Sequence, residues 1–376
     1  MIGSGIFTAP MALASSAGPA GIITYIIVVI GVWCMALSFA QLARLFPQEG
    51  SFYTYTKAWL GHTGGLLIGY LYILGLIIST GLLTRIALMY MPGDIVNMYP
   101  HSIGFALLAA LVATYAFGLQ IAGAGQYILA TCTLFPLLAT IIICLLHADS
   151  RNMIPFAPNG IGGIFSAMRI VIFGFFGFEF STSLYNIIEN PAKNVPRTLS
   201  SSILIVGILY TLFVAAIMLA IPLHRFNMEY MPLSTIIAAL FPSHLWLAKA
   251  IHISIISAVL GTMHAILWTS SNLLQALVKN TVLIRNAISH TFMHSHFIWT
   301  CMVALAVAVI FAVVDNINLF FNLAAITMVT PYLCALLTLF FVPQSKRWSD
   351  YVINSIAVIT AGTIIFFAAQ DILDKI

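Results

Sequence analysis

Long apolar runs separated by short polar stretches make up almost the whole chain. A helix needs about 20 mainly apolar residues to cross about 30 Å of hydrocarbon. By that measure the runs predict full membrane-spanning helices over 22–45, 65–91, 102–119, 127–147, 164–187, 199–221, 244–274, 297–314, 319–342 and 352–369. A shorter apolar segment over 5–16 comes before them, for about 11 spans with the first one partial. The longest connections, 148–163, 222–243 and 275–296, are too short for a soluble domain. The pattern predicts an all-α polytopic membrane protein with one transmembrane domain over 1–376.

Two features recur five spans apart. Pro136 lies near the middle of span five and Pro331 near the middle of span ten. Spans one and six both carry glycine interruptions, Gly3-Ser4-Gly5 and Gly174 with Gly177. An inverted five-plus-five repeat produces such a recurrence, with 1–147 as the first repeat, 164–342 as the second and 352–369 as an additional helix. Gly and Pro are also common in membrane helices, so chance recurrence stays open. With the start of span one on the cytoplasmic side, the cytoplasmic loops hold Arg44, Lys57, Lys193, Arg197, Lys279, Arg285, Lys346 and Arg347. The opposite side holds Arg151, Arg225, Lys249 and Lys375. This excess of inside positive charge sets the expected orientation and places the carboxy terminus outside.

Composition narrows the class further. Hydrophobic types are 61% of the chain and charged residues 6%, against about 45–50% and 25% in soluble domains. The mean hydropathy is +1.06. A soluble enzyme, a disordered chain and a nucleic-acid binder are all excluded by these values. The net charge of +4 comes from scattered residues and does not suggest a polyanionic partner. The five cysteines sit in apolar runs without Cys-x-x-Cys spacing and read as reduced, small hydrophobes.

Candidate chemistry concentrates at the two glycine interruptions. The first is Gly3-Ser4-Gly5-Ile6-Phe7, with Pro10 following. Glycine lets the backbone leave the helical region, and in lipid every freed N–H and C=O needs a partner. An unwound Gly-Ser-Gly leading into a helix start suits a carboxylate; a flexible amino terminus is the plainer alternative. The second is Phe173-Gly174-Phe175-Phe176-Gly177-Phe178-Glu179-Phe180-Ser181. Glu179 sits among apolar residues at mid-membrane depth, where a charge is costly and suggests function. It is a candidate to gain and lose a proton, the alternative being a protonated side chain hydrogen-bonded to a neighbouring helix.

Together these segments resemble the amino acid–polyamine–organocation family of permeases. The resemblance covers the Gly3–Phe7 opening, the Phe176-Gly177-Phe178-Glu179 stretch and the loop Glu189-Asn190-Pro191-Ala192-Lys193-Asn194-Val195-Pro196-Arg197. It also covers Pro47-Gln48-Glu49-Gly50-Ser51-Phe52-Tyr53-Thr54-Tyr55, in matching order and spacing. It implies a LeuT-like five-plus-five inverted repeat with broken helices one and six around a central substrate site. The implied activity is secondary active transport of amino acids or related amines across the plasma (inner) membrane, by exchange or proton-coupled symport with alternating access. The chain looks most similar to the basic amino acid/polyamine antiporter branch. On that likeness Ser4 and Gly5 fall on the carboxylate-binding turn, Phe173 on the gating aromatic and Glu179 on the proton-sensitive glutamate. The implied substrate site comprises Gly3, Ser4, Gly5, Ile6, Phe173, Gly174, Phe176 and Gly177, with Glu179 in proton coupling.

The chain also departs from the family pattern. The half-helix that the family carries before the Gly-Ser-Gly turn is not expected here, and neither is a twelfth span. Span five lacks the lysine of some proton-driven relatives. A truncated, non-transporting membrane protein (a sensor, an assembly partner or a decayed permease) is therefore the alternative reading. The partners expected are the small substrate, protons and the lipid bilayer, with a homodimer open and no cofactor or metal.

The remaining polar residues are weighed individually. Arg85 and Arg169 are expected to snorkel toward the outer interface, with substrate contact or pairing to an acid as the alternative. His264 and Trp268 are possible cavity residues, and burial by packing is the plainer reading for each. His252 and His264 do not share a helix face. Of His290, His294 and His296, the first two could face one way on a helix and bind a metal, but no cysteine or acid completes a set.

Overall fold

The computed structural model describes residues 5–47, 52–91, 98–116, 119–180, 188–227, 233–281, 295–342 and 348–374. Among the described residues all regular structure is helical. Lipid imposes this, because a helix satisfies its own backbone where no water can. The helices are α1 (Gly5–Ser16), α2 (Gly21–Leu45), α3 (Phe52–Met89), α4 (Pro100–Ala116), α5 (Leu119–Leu146), α6 (Gly160–Ser166) and α7 (Met168–Phe173). They continue with α8 (Pro191–Ala220), α9 (Leu233–Leu240), α10 (Leu245–Asn280), α11 (His296–Val313), α12 (Ile317–Phe341) and α13 (Trp348–Leu373).

Among the described residues, seven helices are long and apolar enough to cross a membrane, and the shorter apolar helices are Pro100–Tyr115, Thr131–Leu146 and Gly160–Phe173. With α1, every apolar run of the sequence holds one of these helices. Large apolar side chains also point outward, among them Ile26, Ile30, Leu305, Val309 and Phe366. Helices that are apolar all round are suited to lipid on their outer faces.

Two boundaries differ from expectation. The third helix starts at Phe52 rather than 65, with a break at Gly61 (φ 73°, ψ −178°). Its first piece mixes Lys57 with buried Phe52, Tyr53 and Tyr55, so mean hydropathy conceals a helix that burial of one face stabilises. Likewise α8 begins at Pro191 rather than 199. Proline is tolerated in a first turn because its missing N–H has no intrahelical acceptor there.

Pro136 and Pro331 lie inside α5 and α12. The main packing pairs are α3 with α12, α2 with α8, α10 with α5, α3 with α10, α3 with α11, α10 with α11, and α4 with α11. Further pairs are α2 with α12, α8 with α5, and α1 with α7. Exchanging each span for the one five further along turns α3–α12 into α10–α5, and α2–α12 into α8–α5. The pairs α2–α8, α3–α10, α4–α11 and α1–α7 map onto themselves, and α10–α11 maps onto α3–α4, whereas α3–α11 has no comparable counterpart between α4 and α10 among the described residues. The last helix, α13, lies against α2 and α12.

The connection 154–159 closes over the end of α1. The Asn159 side-chain amide donates to the carbonyls of Ser15 (3.0 Å) and Ser16 (2.9 Å). These are carbonyls a helix end leaves without an intrahelical donor. Gly18 then turns the chain at φ 60°, with Pro158 Cδ only 2.6 Å from where a Cβ would stand. Only glycine meets both demands.

Candidate functional site

The sixth span is broken where its glycines fall. Helix α7 ends at Phe173, and residues 174–179 form successive turns. Gly174 N–H donates to Val171 O (3.1 Å) and Phe175 N–H to Ile172 O (2.9 Å). Phe176 N–H reaches Phe173 O and Phe178 N–H reaches Phe175 O, both at 3.4 Å. Each bond spans three residues rather than four, the tighter geometry that marks strain or a hinge in a helix. Gly177 has φ +97°, a conformation that a Cβ makes costly.

The first helix meets this break directly. A Cβ built on Gly5 would stand 2.7 Å from Gly174 Cα, 3.2 Å from Gly174 N and 3.4 Å from Phe173 Cδ1. Ile6 beside it is fully buried. The structure thus brings Gly5, Phe173 and Gly174 together. Gly3 and Ser4 lie outside the described residues.

Aromatic rings close the surroundings. Phe173 meets Phe176 edge-on at 5.8 Å and Phe321 of α12 edge-on at 5.2 Å. Phe176, half-buried, approaches Tyr332 of α12 at 6.2 Å. Phe173 and Phe176 are therefore members of one cluster.

Glu179 is buried, 1% exposed. Its Oε1 accepts from the Tyr72 hydroxyl at 2.6 Å and its Oε2 from the Gly177 N–H at 3.0 Å. Tyr332 faces the same carboxyl group. Around these polar atoms Phe52 lies 4.5 Å from Tyr72, Phe52 lies 5.3 Å from Tyr332, and Phe39 stacks on Phe178 at 5.7 Å. Buried carboxyl groups demand such partners because desolvation is expensive. One oxygen is tied to α3 and the other to the broken segment itself, so a change at Glu179 acts on both. Neither Tyr72 nor Tyr332 is evident from the sequence, since a tyrosine in an apolar span reads as packing.

The other candidates make contacts of their own. His264 stacks on Tyr115 (4.5 Å, 3°) where α4 meets α10, and the Tyr115 hydroxyl donates to the His264 carbonyl. Its Nε2 has no protein partner. Trp268, one turn further along α10, is half-buried. His252 packs on Tyr90. The His296 ring bonds Asn272 Oδ1, while His290 and His294 lie outside the described residues. Among the described residues no cluster of three metal-ligating side chains occurs.

The expectation for Arg169 requires correction, and that for Arg85 gains a partner. Arg169 does not snorkel: it is 5% exposed and forms a two-pronged ion pair with Asp371. The driving cause is that a guanidinium held inside needs a paired charge. Arg85 pairs with Asp315, caps the Phe311 and Val314 carbonyls at the end of α11 (3.2 and 3.3 Å), and lies over the Phe311 ring. It reaches the helix ends, but as an acid-paired cap.

Comparison with known proteins agrees with this architecture. A family model described as "Amino acid permease" matches residues 1–370. The branched-chain amino acid permease BcaP of Bacillus subtilis is 26% identical over 300 residues, covering 74% of this chain and 64% of that protein. The gamma-aminobutyric acid permease of Escherichia coli is 26% identical over 235 residues, 59% of this chain and 50% of that protein. Cationic amino acid transporter 5 of Arabidopsis thaliana is 25% identical over 229 residues, 56% of this chain and 40% of that protein. The chain thus spans less than two thirds of the length of each of these relatives. Eleven apolar runs, a broken sixth span against the first, and a match over nearly all its length agree: the chain is a multi-pass integral membrane protein and belongs to the amino acid permease family.

Proposed function

We propose that the chain is a secondary transporter that carries amino acids across the plasma membrane between the start of α1 and the break after α7. The observation that carries this reading is the backbone-to-backbone meeting of Gly5 with Gly174. The break after α7, with the start of α1 directly against it, offers main-chain groups within an apolar span, where only a ligand, water or protein can satisfy them. In this reading the main-chain amides of the segment Gly3–Ile6 hold the substrate carboxylate. Carbonyls near Gly174 and Gly177 hold the ammonium.

The surroundings favour an apolar substrate side chain over a cationic one. Ile6, Phe173, Phe176 and Phe321 supply hydrocarbon. The acid beside the break, Glu179, already accepts from Tyr72 and Gly177. The neighbouring segments 1–4 and 181–187 contain no acid. The branched-chain permease among the relatives supports the same choice, and a basic amino acid or polyamine would find no acid beside the break, among the described residues, other than the already bonded Glu179. Phe173 and Phe176 gate the site, and Glu179 links proton occupancy to the geometry of the break through its bond to Gly177. The packing pairs that interchange over five spans support two inverted repeats rocking about this site.

Uptake into proteoliposomes tests this reading. Labelled leucine, phenylalanine, arginine and agmatine are compared, with and without unlabelled amino acid inside. Saturable uptake of the neutral substrates is expected, and dependence on internal substrate would mark exchange. Uptake of none of them by folded protein would overturn the proposal.

A further inference from the structure

The Arg169 ion pair is unusual in place and company. Arg169 Nη1 lies 2.9 Å from Asp371 Oδ2, and Nη2 lies 3.1 Å from Asp371 Oδ1. The same Nη1 donates to Asn322 Oδ1 at 2.5 Å, and Asn322 Nδ2 donates to Asp371 Oδ2 at 2.6 Å. Nε donates to the Ser166 carbonyl at 3.0 Å. Three helices, α7, α12 and α13, therefore meet in one closed polar triangle inside an apolar protein. Asn322 is buried and the Asp371 side chain is 20% exposed.

Position gives the triangle a consequence. Phe173 follows Arg169 by one turn of α7, on the same face. Phe321 precedes Asn322 on α12, and the two phenylalanines meet edge-on at 5.2 Å. The polar triangle and the aromatic contact are adjacent links between the same pair of helices. Moving α7 away from α12 and the α13 packed on it would strip the guanidinium of its Asn322 and Asp371 acceptors, which is costly in a medium of low dielectric. In the orientation set by the loop charges, Arg169, Asn322 and Asp371 all stand at the outer ends of their spans.

We propose that Arg169, Asn322 and Asp371 form a lock that holds the Phe173 side of the break closed against α12. The helix outside both repeats, α13, thereby sets how readily the site opens outward. Arg169 is a positioning residue here, acting through Phe173. The inference rests on the transport reading for its purpose, but its test does not require transport.

Ala325 lies one turn beyond Phe321 on α12 and is 1% exposed. Ala325→Cys, in the full chain with its native cysteines replaced by alanine, reports opening through its rate of maleimide labelling. Asp371→Asn and Arg169→Gln are expected to raise that rate by about tenfold or more. Asp371→Glu, which keeps the charge, should return it most of the way to the parent rate. A parental rate in Asp371→Asn would overturn the lock. Should that variant not fold, Arg169→Lys decides, because an ammonium cannot hold both carboxylate oxygens and Asn322 in a planar fork. An intermediate rise supports the lock, and a parental rate overturns it. Failure of all these variants to fold would make the cluster a folding determinant and equally overturn it. If the predicted labelling occurs in a chain that transports nothing, the transport reading falls and the lock stands.

Discussion

Gly5 and Gly174 touch through their backbones, leaving 2.7 Å between a Cβ on Gly5 and Gly174 Cα. A methyl group there must push two main chains apart, whereas a Cβ on Gly174 meets only Val171 O at 3.4 Å and Tyr210 Cε2 at 3.5 Å. Overpacking of the first kind costs about 1–3 kcal/mol. Gly5→Ala should therefore reduce leucine uptake by about tenfold or more, and Gly174→Ala should reduce it much less. Equal tolerance of alanine at the two positions, with both variants folded, would remove this junction from the transport path.

Glu179 joins the break to α3 through Tyr72. Glu179→Gln keeps the shape and the ability to accept from Tyr72 but cannot ionise. Uptake by this variant should be the same at mildly acidic and neutral pH, with substrate affinity partly retained. A pH response like the parent's would take Glu179 out of proton coupling. Tyr72→Phe removes one hydrogen bond to the carboxyl group, worth about 1.5–3 kcal/mol where the acceptor is charged. A lowered thermal midpoint is the expected reading.

Phe173 holds two edge-on ring contacts, each worth about 0.5–1.5 kcal/mol beyond burial. Phe173→Ala should weaken apparent leucine affinity by about tenfold, read from the concentration dependence of uptake. It should also let preloaded leucine escape faster from vesicles without external substrate. An unchanged concentration dependence and escape rate would show that the ring does not guard the site.

Asn159 caps α1 at the end remote from Gly5. Asn159→Ala strips two carbonyls of their donor and should cost about 1–3 kcal/mol of stability. Asn159→Asp, which sets a carboxylate against those carbonyls, should cost at least as much. Thermal unfolding of the purified variants checks both, and midpoints equal to the parent's would contradict the cap.

The spans were legible because lipid demands long apolar runs, and the sixth-span break was legible because Gly174 and Gly177 interrupt one of them. What stayed hidden required knowledge of neighbours. Residues 52–60 form a helix by burying Phe52 and Tyr55, which an averaged hydropathy cannot register. Arg169 read as an interface residue because its partner, Asp371, is about two hundred positions away. Asp371 is one of only ten acids in the chain, so a search for the acid matching each intramembrane cation could have found it. Tyr72 and Tyr332 reach Glu179 from different spans, and nothing local distinguishes them from ordinary core tyrosines.

The central claim is that a substrate carboxylate is held by main-chain amides where α1 meets the sixth-span break. Its most direct test is labelled-leucine uptake by the chain in proteoliposomes, challenged with excess unlabelled leucine or excess leucinamide, which has the same side chain and ammonium but no carboxylate. The account predicts saturable uptake that leucine abolishes and leucinamide leaves nearly intact. Uptake no greater than in protein-free vesicles, or equal suppression by the two competitors, would contradict it.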